Sequence, residues 1–422
     1  MRRLYTLAVF LLLPVALWHL LWRARRQPDY LRHWGERFGF YGGRPPPPPP
    51  VIWIHAVSVG ETRAAVPLVA ALRRDYPGHR LVFSHTTPTG RDTAQELFGA
   101  GIDRVYLPYD LPGAMRRFLE HFRPQLGLIM ETEIWPNLLA ACRRRDLPVL
   151  LVNARLSQRS AQRYARLPAL ARSALGSLAA VAAQDEDDAQ RLRSLGAAEV
   201  RVTGNLKFDA TPAPELLARG RTWRQGWPGR KVLLAASTRE GEERLILEAW
   251  RRRPMAGLLL LVVPRHPQRF DAVAELAASL GFKLQRRSKG LALADDTTLL
   301  LGDSMGEMGA YYAAADLACI GGSLLDFGSQ NLIEACAAGT PVLVGPSTYN
   351  FAWAAAAALE CGAAQQVGDA DELLARARCL LDDAPRLKQM GEAGLAFSAR
   401  HRGATERTLA LIAPYLPTRA AS

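Results

Sequence analysis

Residues 51–62 read VIWIHAVSVGET. Val51, Ile52, Trp53 and Ile54 form a short apolar run without alternation, the pattern of a strand buried on both faces. Ser58 and Gly60 are turn formers. The next stretch, TRAAVPLVAALRR (62–74), spaces its apolar residues as a helix does. Pro67 removes a backbone donor inside that helix, which predicts a short first turn and then a bend. Strand, tight turn and helix make one βα unit. Its junction carries a lone carboxylate, Glu61. A glutamate in a first helical turn is an ordinary cap for free N–H groups; at a strand end it is equally placed for chemistry.

The same alternation recurs along the chain. LVFSHTT (81–87), RVYLPY (104–109), LGLIME (126–131), VLLVNA (149–154), AAVAAQ (179–184) and VRVTG (200–204) read as further strands. KVLLAAS (231–237), LLLLVVPR (258–265), TLLLGD (298–303), LACIGG (317–322) and PVLVGP (341–346) form a second set. Strands that alternate with helices predict an α/β chain of two Rossmann-like, doubly wound parallel-sheet domains. TPAPE (211–215) and GWPGR (226–230) interrupt the pattern, so the domains are expected at 51–210 and 211–422. Two such sheets facing a cleft would bind ligands at their carboxyl edges.

Totals agree. The chain has 422 residues, 49% of them hydrophobic, enough for two cores. A formal charge of +13, mostly arginine, favours anionic partners. The arginines are scattered without an aromatic platform, which argues against nucleic acid. Cys142, Cys319, Cys336, Cys361 and Cys379 show no CxxC and no pairing with histidine at metal spacing, a pattern suited to a reducing compartment.

Residues 1–26 are expected to anchor the chain to a membrane. The apolar run 4–22 lies between Arg2-Arg3 and Arg23, Arg25 and Arg26, and is just long enough to span. No small-residue cleavage site follows it. Pro14 and His19 leave open a helix lying in the interface instead. The basic downstream flank, with Arg32 and Arg37, places the body on the cytoplasmic side. Residues 27–50 are a basic, aromatic segment ending in a stiff spacer of six prolines.

Candidate chemistry gathers at the strand ends. Glu131 and Glu133 follow LGLIM, and one of them is expected to pair with an arginine; both would point one way if the strand continued. Lys207 lies near the domain break. Arg265 and His266 suit an anion, as do the glycine-rich turns at 302–307 and 321–322. Asn331 and Glu334, three apart, would share a helix face, and glycines ahead of that helix make a phosphate seat at its start. The usual ATP and NAD fingerprints are missing.

Taken in order, HAVSVGET, METEIWPN, NARLS, VTGNLKFD, STREGEE, VPRHPQRF, GDSMGE and NLIEA resemble the 3-deoxy-D-manno-octulosonic acid (Kdo) transferase family of lipopolysaccharide synthesis. The resemblance covers nearly the whole chain. It implies a GT-B glycosyltransferase at the inner face of the cytoplasmic membrane, with CMP-Kdo as donor and the lipid A precursor lipid IVA as acceptor. It implies no cofactor and no metal. By the same resemblance Glu61 is the general base, and Glu131 and Lys207 assist the transition state. CMP would be held by Pro264 and Arg265, by Met305, Gly306 and Glu307, and by Asn331, Leu332, Ile333 and Glu334. In one place the chain departs: the family commonly reads GGHNPLE where residues 328–334 are GSQNLIE, with Gln330 in the histidine's place. Another membrane-associated GT-B transferase with a UDP-sugar donor, or a silent membrane-tethered nucleotide or glycolipid binder, is the remaining alternative.

Overall fold

A computed structural model describes residues 1–25, 27–210 and 212–416; Arg26 and Thr211, named above at the anchor and the domain break, lie outside the described residues. The chain divides into two compact units. One comprises Met1–Ala210 with the segment from Arg402 onward, the other Thr211–His401.

The first unit holds a parallel sheet of β1 (Val51–His55), β2 (Arg80–His85), β3 (Asp103–Tyr106), β4 (Leu126–Met130), β5 (Val149–Ala154), β6 (Ala180–Ala183) and β7 (Val200–Val202), in the order β3-β2-β1-β4-β5-β6-β7. The winding reverses at β1, which pairs with β2 on one side and β4 on the other. Alternate residues of β1 feed opposite faces. Ile52 and Ile54 pack with Leu68 and Leu72, while Val51 and Trp53 pack with Phe118 and Phe122. Gly127 in β4 makes room for the indole, since a Cβ there would lie 2.9 Å from Trp53. The helix after β1 breaks as Pro67 requires, into Val59–Ala64 and Val66–Asp75.

The second unit repeats the plan with β8 (Lys231–Thr238), β9 (Leu258–Pro264), β10 (Leu284–Arg286), β11 (Leu299–Leu301), β12 (Leu317–Ile320), β13 (Val342–Val344) and β14 (Ala364–Gln366). The order is β10-β11-β9-β8-β12-β13-β14, all parallel, and the switch falls at β8 between β9 and β12. Three-residue β10 and β14 are edge strands with little apolar content, so periodicity does not mark them.

Three expectations change. The second domain does not run to residue 422. The helix Ala404–Ile412 buries Ala404, Leu409, Leu411 and Ile412 in the first unit's core, and Asp209 accepts the N–H groups of Gly403 (2.7 Å) and Thr405 (2.5 Å) at its start. The segment 27–50 is not simply a solvated spacer. Glu36 is buried and accepts from Arg91 (2.6 Å) and from the Tyr106 N–H (2.8 Å), while Arg37 stacks over the Tyr106 ring at 4.1 Å. Finally, β4 ends at Met130, and Glu131 turns out of the strand with φ 55°, so Glu131 and Glu133 do not continue the strand alternation.

Ile412 is fully buried. Truncation to alanine leaves a cavity in the first core, and I412A should lower the unfolding free energy by about 2–5 kcal/mol, read from the denaturant midpoint. A change below ~0.5 kcal/mol, the range of surface substitutions, would contradict this packing.

Candidate active site

The carboxyl ends of β1 and β4 are neighbours, and each delivers a carboxylate. Ser58 caps the helix Val59–Ala64: its Oγ accepts the Glu61 N–H at 3.2 Å. Glu61 answers with both oxygens. Oε1 accepts from the Ser58 hydroxyl (2.9 Å) and Oε2 from the Val57 N–H (2.7 Å), a reciprocal cap. Its residue is only 9% exposed. Burial pushes the Glu61 carboxyl up to about 7; the nearby charge of Glu131 adds to this, and the bonds from Val57 and Ser58 pull the other way. A cap of this kind does not by itself remove the carboxyl from chemistry. The cap holds the group still, and burial sets its basicity near neutrality.

The loop that carries Glu61 is held from behind. His85, fully buried at the end of β2, donates from Nδ1 to the Ala56 carbonyl at 2.9 Å, and the Thr87 hydroxyl donates to the Val57 carbonyl at 3.1 Å. Burial pushes His85 down to about 3, so it stays neutral.

Glu131 pairs with Lys207, not with an arginine: Oε1 lies 3.5 Å from Nζ, and both side chains are mostly shielded from solvent. A polar chain across three strand ends places the lysine. Asn153, after the apolar part of β5, accepts the Leu206 N–H at 2.9 Å. Gln184 donates to the Asn153 carbonyl (2.9 Å) and accepts from Asn205 (3.0 Å), which in turn accepts the Lys207 N–H at 3.0 Å. Asn153, Gln184 and Asn205 received no role from the sequence. Their signal was there: an amide side chain at or just past the end of three successive strands, the first two of them buried. Glu61, Glu131 and Lys207 are thus brought together on one sheet edge.

In the second unit the carboxyl ends of β8 and β12 meet so closely that a Cβ on Gly321 would lie 2.4 Å from the Ser237 carbonyl. Fully buried Glu242 ties this corner, accepting from the N–H groups of Arg239 (2.8 Å), Gly322 (2.6 Å) and Leu324 (3.0 Å). Arg265 follows β9; its N–H reaches the Thr238 carbonyl (2.9 Å) and its Nε donates to Gln330 Oε1 at 3.2 Å. Pro264–Arg265 and the 328–334 loop are therefore linked. Asn331 does not share a helix face with Glu334. The helix is short, Ile333–Ala337, and Asn331 precedes it, accepting the Ile333 N–H (3.1 Å) and donating to Glu334 (3.0 Å). Leu332 and Ile333 are buried in the interior, which leaves their backbone as the part a ligand could touch. Glu307 is already neutralised by Arg219 (2.8 Å) and Arg287 (3.1 Å) and accepts from Ser304 (2.5 Å). Beside it, Met305 is exposed and Gly306 takes φ 77°.

Two doubly wound parallel sheets, each with its polar groups at the switch point, give the chain the GT-B architecture. Residues 279–397 match the model for glycosyl transferases group 1, and residues 32–210 match that for 3-deoxy-D-manno-octulosonic-acid transferase. A 3-deoxy-D-manno-octulosonic acid transferase of Bordetella pertussis is 46% identical over 430 residues, covering 98% of this chain and 99% of its own. One from Haemophilus influenzae is 38% identical, with 98% and 99% covered. The chain belongs to the 3-deoxy-D-manno-octulosonic acid transferase family. A solved structure described as a putative UDP-N-acetylglucosamine 2-epimerase from Listeria monocytogenes superposes with a TM-score of 0.58 at 16% identity, covering 88% of this chain and 98% of its own; that likeness is one of fold.

Glu61 binds its proton more tightly folded than unfolded, so its contribution to stability is present below about pH 4.5 and is lost as pH rises through about 7. The stability of E61Q relative to the parent should accordingly shift in the variant's favour between pH 5 and pH 8, by up to about 3 kcal/mol. Paired chemical denaturation curves at the two pH values measure it; a pH-independent difference would remove the elevated carboxyl.

Proposed function

We propose that the chain transfers Kdo from CMP-Kdo to the lipid A precursor lipid IVA, with inversion, and that Glu61 is the general base. The observation that carries this reading is a fixed, buried carboxyl whose pKa lies near the working pH, where a base is most effective. An acceptor sugar hydroxyl is a weak nucleophile. As its oxygen bonds to the anomeric carbon, Glu61 takes the hydroxyl proton. The carbon–oxygen bond to the CMP phosphate breaks, and CMP departs with the bonding electrons. That phosphate leaves well already and needs charge neutralisation more than a proton.

Lys207, positioned by Asn205, and Glu131 beside it set the field around the reacting carboxyl. In the second unit the Arg265 guanidinium and the Met305–Glu307 turn are assigned to the cytidylate, together with Asn331, Glu334 and the backbone at Leu332 and Ile333. The pairing of Glu307 with two arginines leaves its turn, not its carboxylate, as the donor-facing part. The reading is supported by family membership along the full chain, and it places the protein at the cytoplasmic face of the inner membrane, where a lipid acceptor resides.

Incubation with CMP-Kdo and lipid IVA, with products weighed by mass spectrometry, tests donor and acceptor together. UDP-sugars should give no product; transfer from them would favour a different donor. E61Q should lose about 10²–10⁴-fold in turnover and still bind CMP in calorimetry. Unchanged turnover removes the base. The acid limb of kcat/KM should lie near pH 7 for the parent. In E131Q it should move to lower pH, because the charge that raises the Glu61 carboxyl has gone. A limb that stays in place would separate Glu131 from the base.

A further inference from the structure

The helix Arg2–Ala24 is long and apolar enough to cross a membrane, yet both of its ends touch the same unit. At its start, the Tyr5 hydroxyl donates to Asp110 at 3.0 Å and the Thr6 hydroxyl to Asn137 at 2.9 Å. Asp110 is no casual partner. It is buried, and its carboxylate also accepts the N–H groups of Asn137 (2.9 Å) and Leu138 (2.8 Å), at the head of the helix Pro136–Arg143. At the other end, Leu20 and Ala24 are buried against Tyr30. Between these ends the shielded positions recur at helical spacing: Tyr5, Val9, Leu13, Ala16, Leu20 and Ala24. The helix is therefore held to this unit at its start by hydrogen bonds and at its end through Tyr30, with a partly shielded stripe between.

The opposite stripe is exposed and apolar: Leu7, Leu11, Val15, Trp18 and Trp22. At ~1.5 Å per residue, Tyr5 and Ala24 are about 28 Å apart, nearly the ~30 Å of a bilayer's hydrocarbon core. A crossing helix would carry Tyr5 to the far side of the membrane, away from Asp110, and strip the polar bonds at its start.

We propose that this helix lies in the plane of an anionic phospholipid leaflet, its Leu7–Trp22 stripe in the acyl boundary and its other face on the first unit, and does not cross the bilayer. The proposal rests on the reading of a membrane-lipid acceptor. Charge fits the occupant. Arg2 and Arg3 at one end and Arg23, Arg25 and Arg32 at the other all reach one leaflet when the helix is flat. Leu31, Trp34 and Phe40, exposed in the following segment, supply further apolar side chains near the same end. The first turn latches onto the helix that begins at Pro136, a few residues after Glu131 and Glu133. The carboxyl edge of the first sheet is thereby held at the headgroup layer, where a glycolipid presents its sugars.

The test uses the full chain with exposed Cys361 and Cys379 changed to serine, bound to vesicles of phosphatidylethanolamine and phosphatidylglycerol. Co-flotation reports membrane binding itself, and its absence overturns the membrane reading and this proposal together. R2C and K388C are then labelled separately with a membrane-impermeant maleimide, before and after detergent. A flat helix gives the same accessible fraction at both positions; complementary fractions mean that the helix crosses, and overturn the proposal while leaving the membrane reading intact. A T6C/N137C variant should also be joined within one chain by a short bismaleimide on the vesicles, and failure to join with both thiols reactive in detergent counts against it. Kdo transfer, assayed on the same vesicles, reports separately on the catalytic reading.

Discussion

Parallel pairing of β1 with both β2 and β4 is the constraint on which the candidate active-site edge depends. It makes β1 the place where the winding reverses, and it sets the ends of two non-consecutive strands side by side. Residues seventy positions apart in sequence, Glu61 and Glu131, become electrostatic neighbours through that one pairing. The apolar identity of the strands enforces it. With Ile52 and Ile54 committed to one core and Val51 and Trp53 to the other, a shift by one residue would turn every side chain to the wrong face.

The site itself is a balance of opposed effects around one carboxyl. Burial and a like charge favour the protonated form; two hydrogen bonds favour the ionised one. Burial outweighs the rest, and the carboxyl is pushed up to about 7. Lys207 compensates the second carboxylate, so the edge does not accumulate uncompensated negative charge. The buried amides of Asn153 and the side chains of Gln184 and Asn205 keep that lysine in place by hydrogen bonding and carry no charge of their own.

Much of this was legible in the residues alone. Every long strand was marked by an apolar run, and Pro67 announced the break in its helix. The edge strands β10 and β14 were not marked, because three residues on a sheet's rim need no continuous apolar face. The return of the last helix to the first unit was also hidden. Leu409, Leu411 and Ile412 say that a helix is buried, but nothing local says which core receives it; that is decided by Asp209, almost two hundred residues earlier. Glu61, Glu131 and Lys207 could be named from their motifs. The partner of Glu131 could not, since a lysine and the many arginines are equally basic in a string of letters. Glu242 went unremarked, although STREGEE contains it, because a glutamate that accepts three backbone N–H groups looks in sequence like any solvated acid.

The contact between Arg265 and Gln330 has a consequence for how the enzyme responds to its surroundings. A histidine in that position could gain a proton in mild acid and repel the guanidinium beside it. A carboxamide has no proton to gain, and its oxygen goes on accepting from Arg265 in mild acid as at neutrality. This link between the two loops is in this respect deaf to acidity, and the listening is left to the other unit.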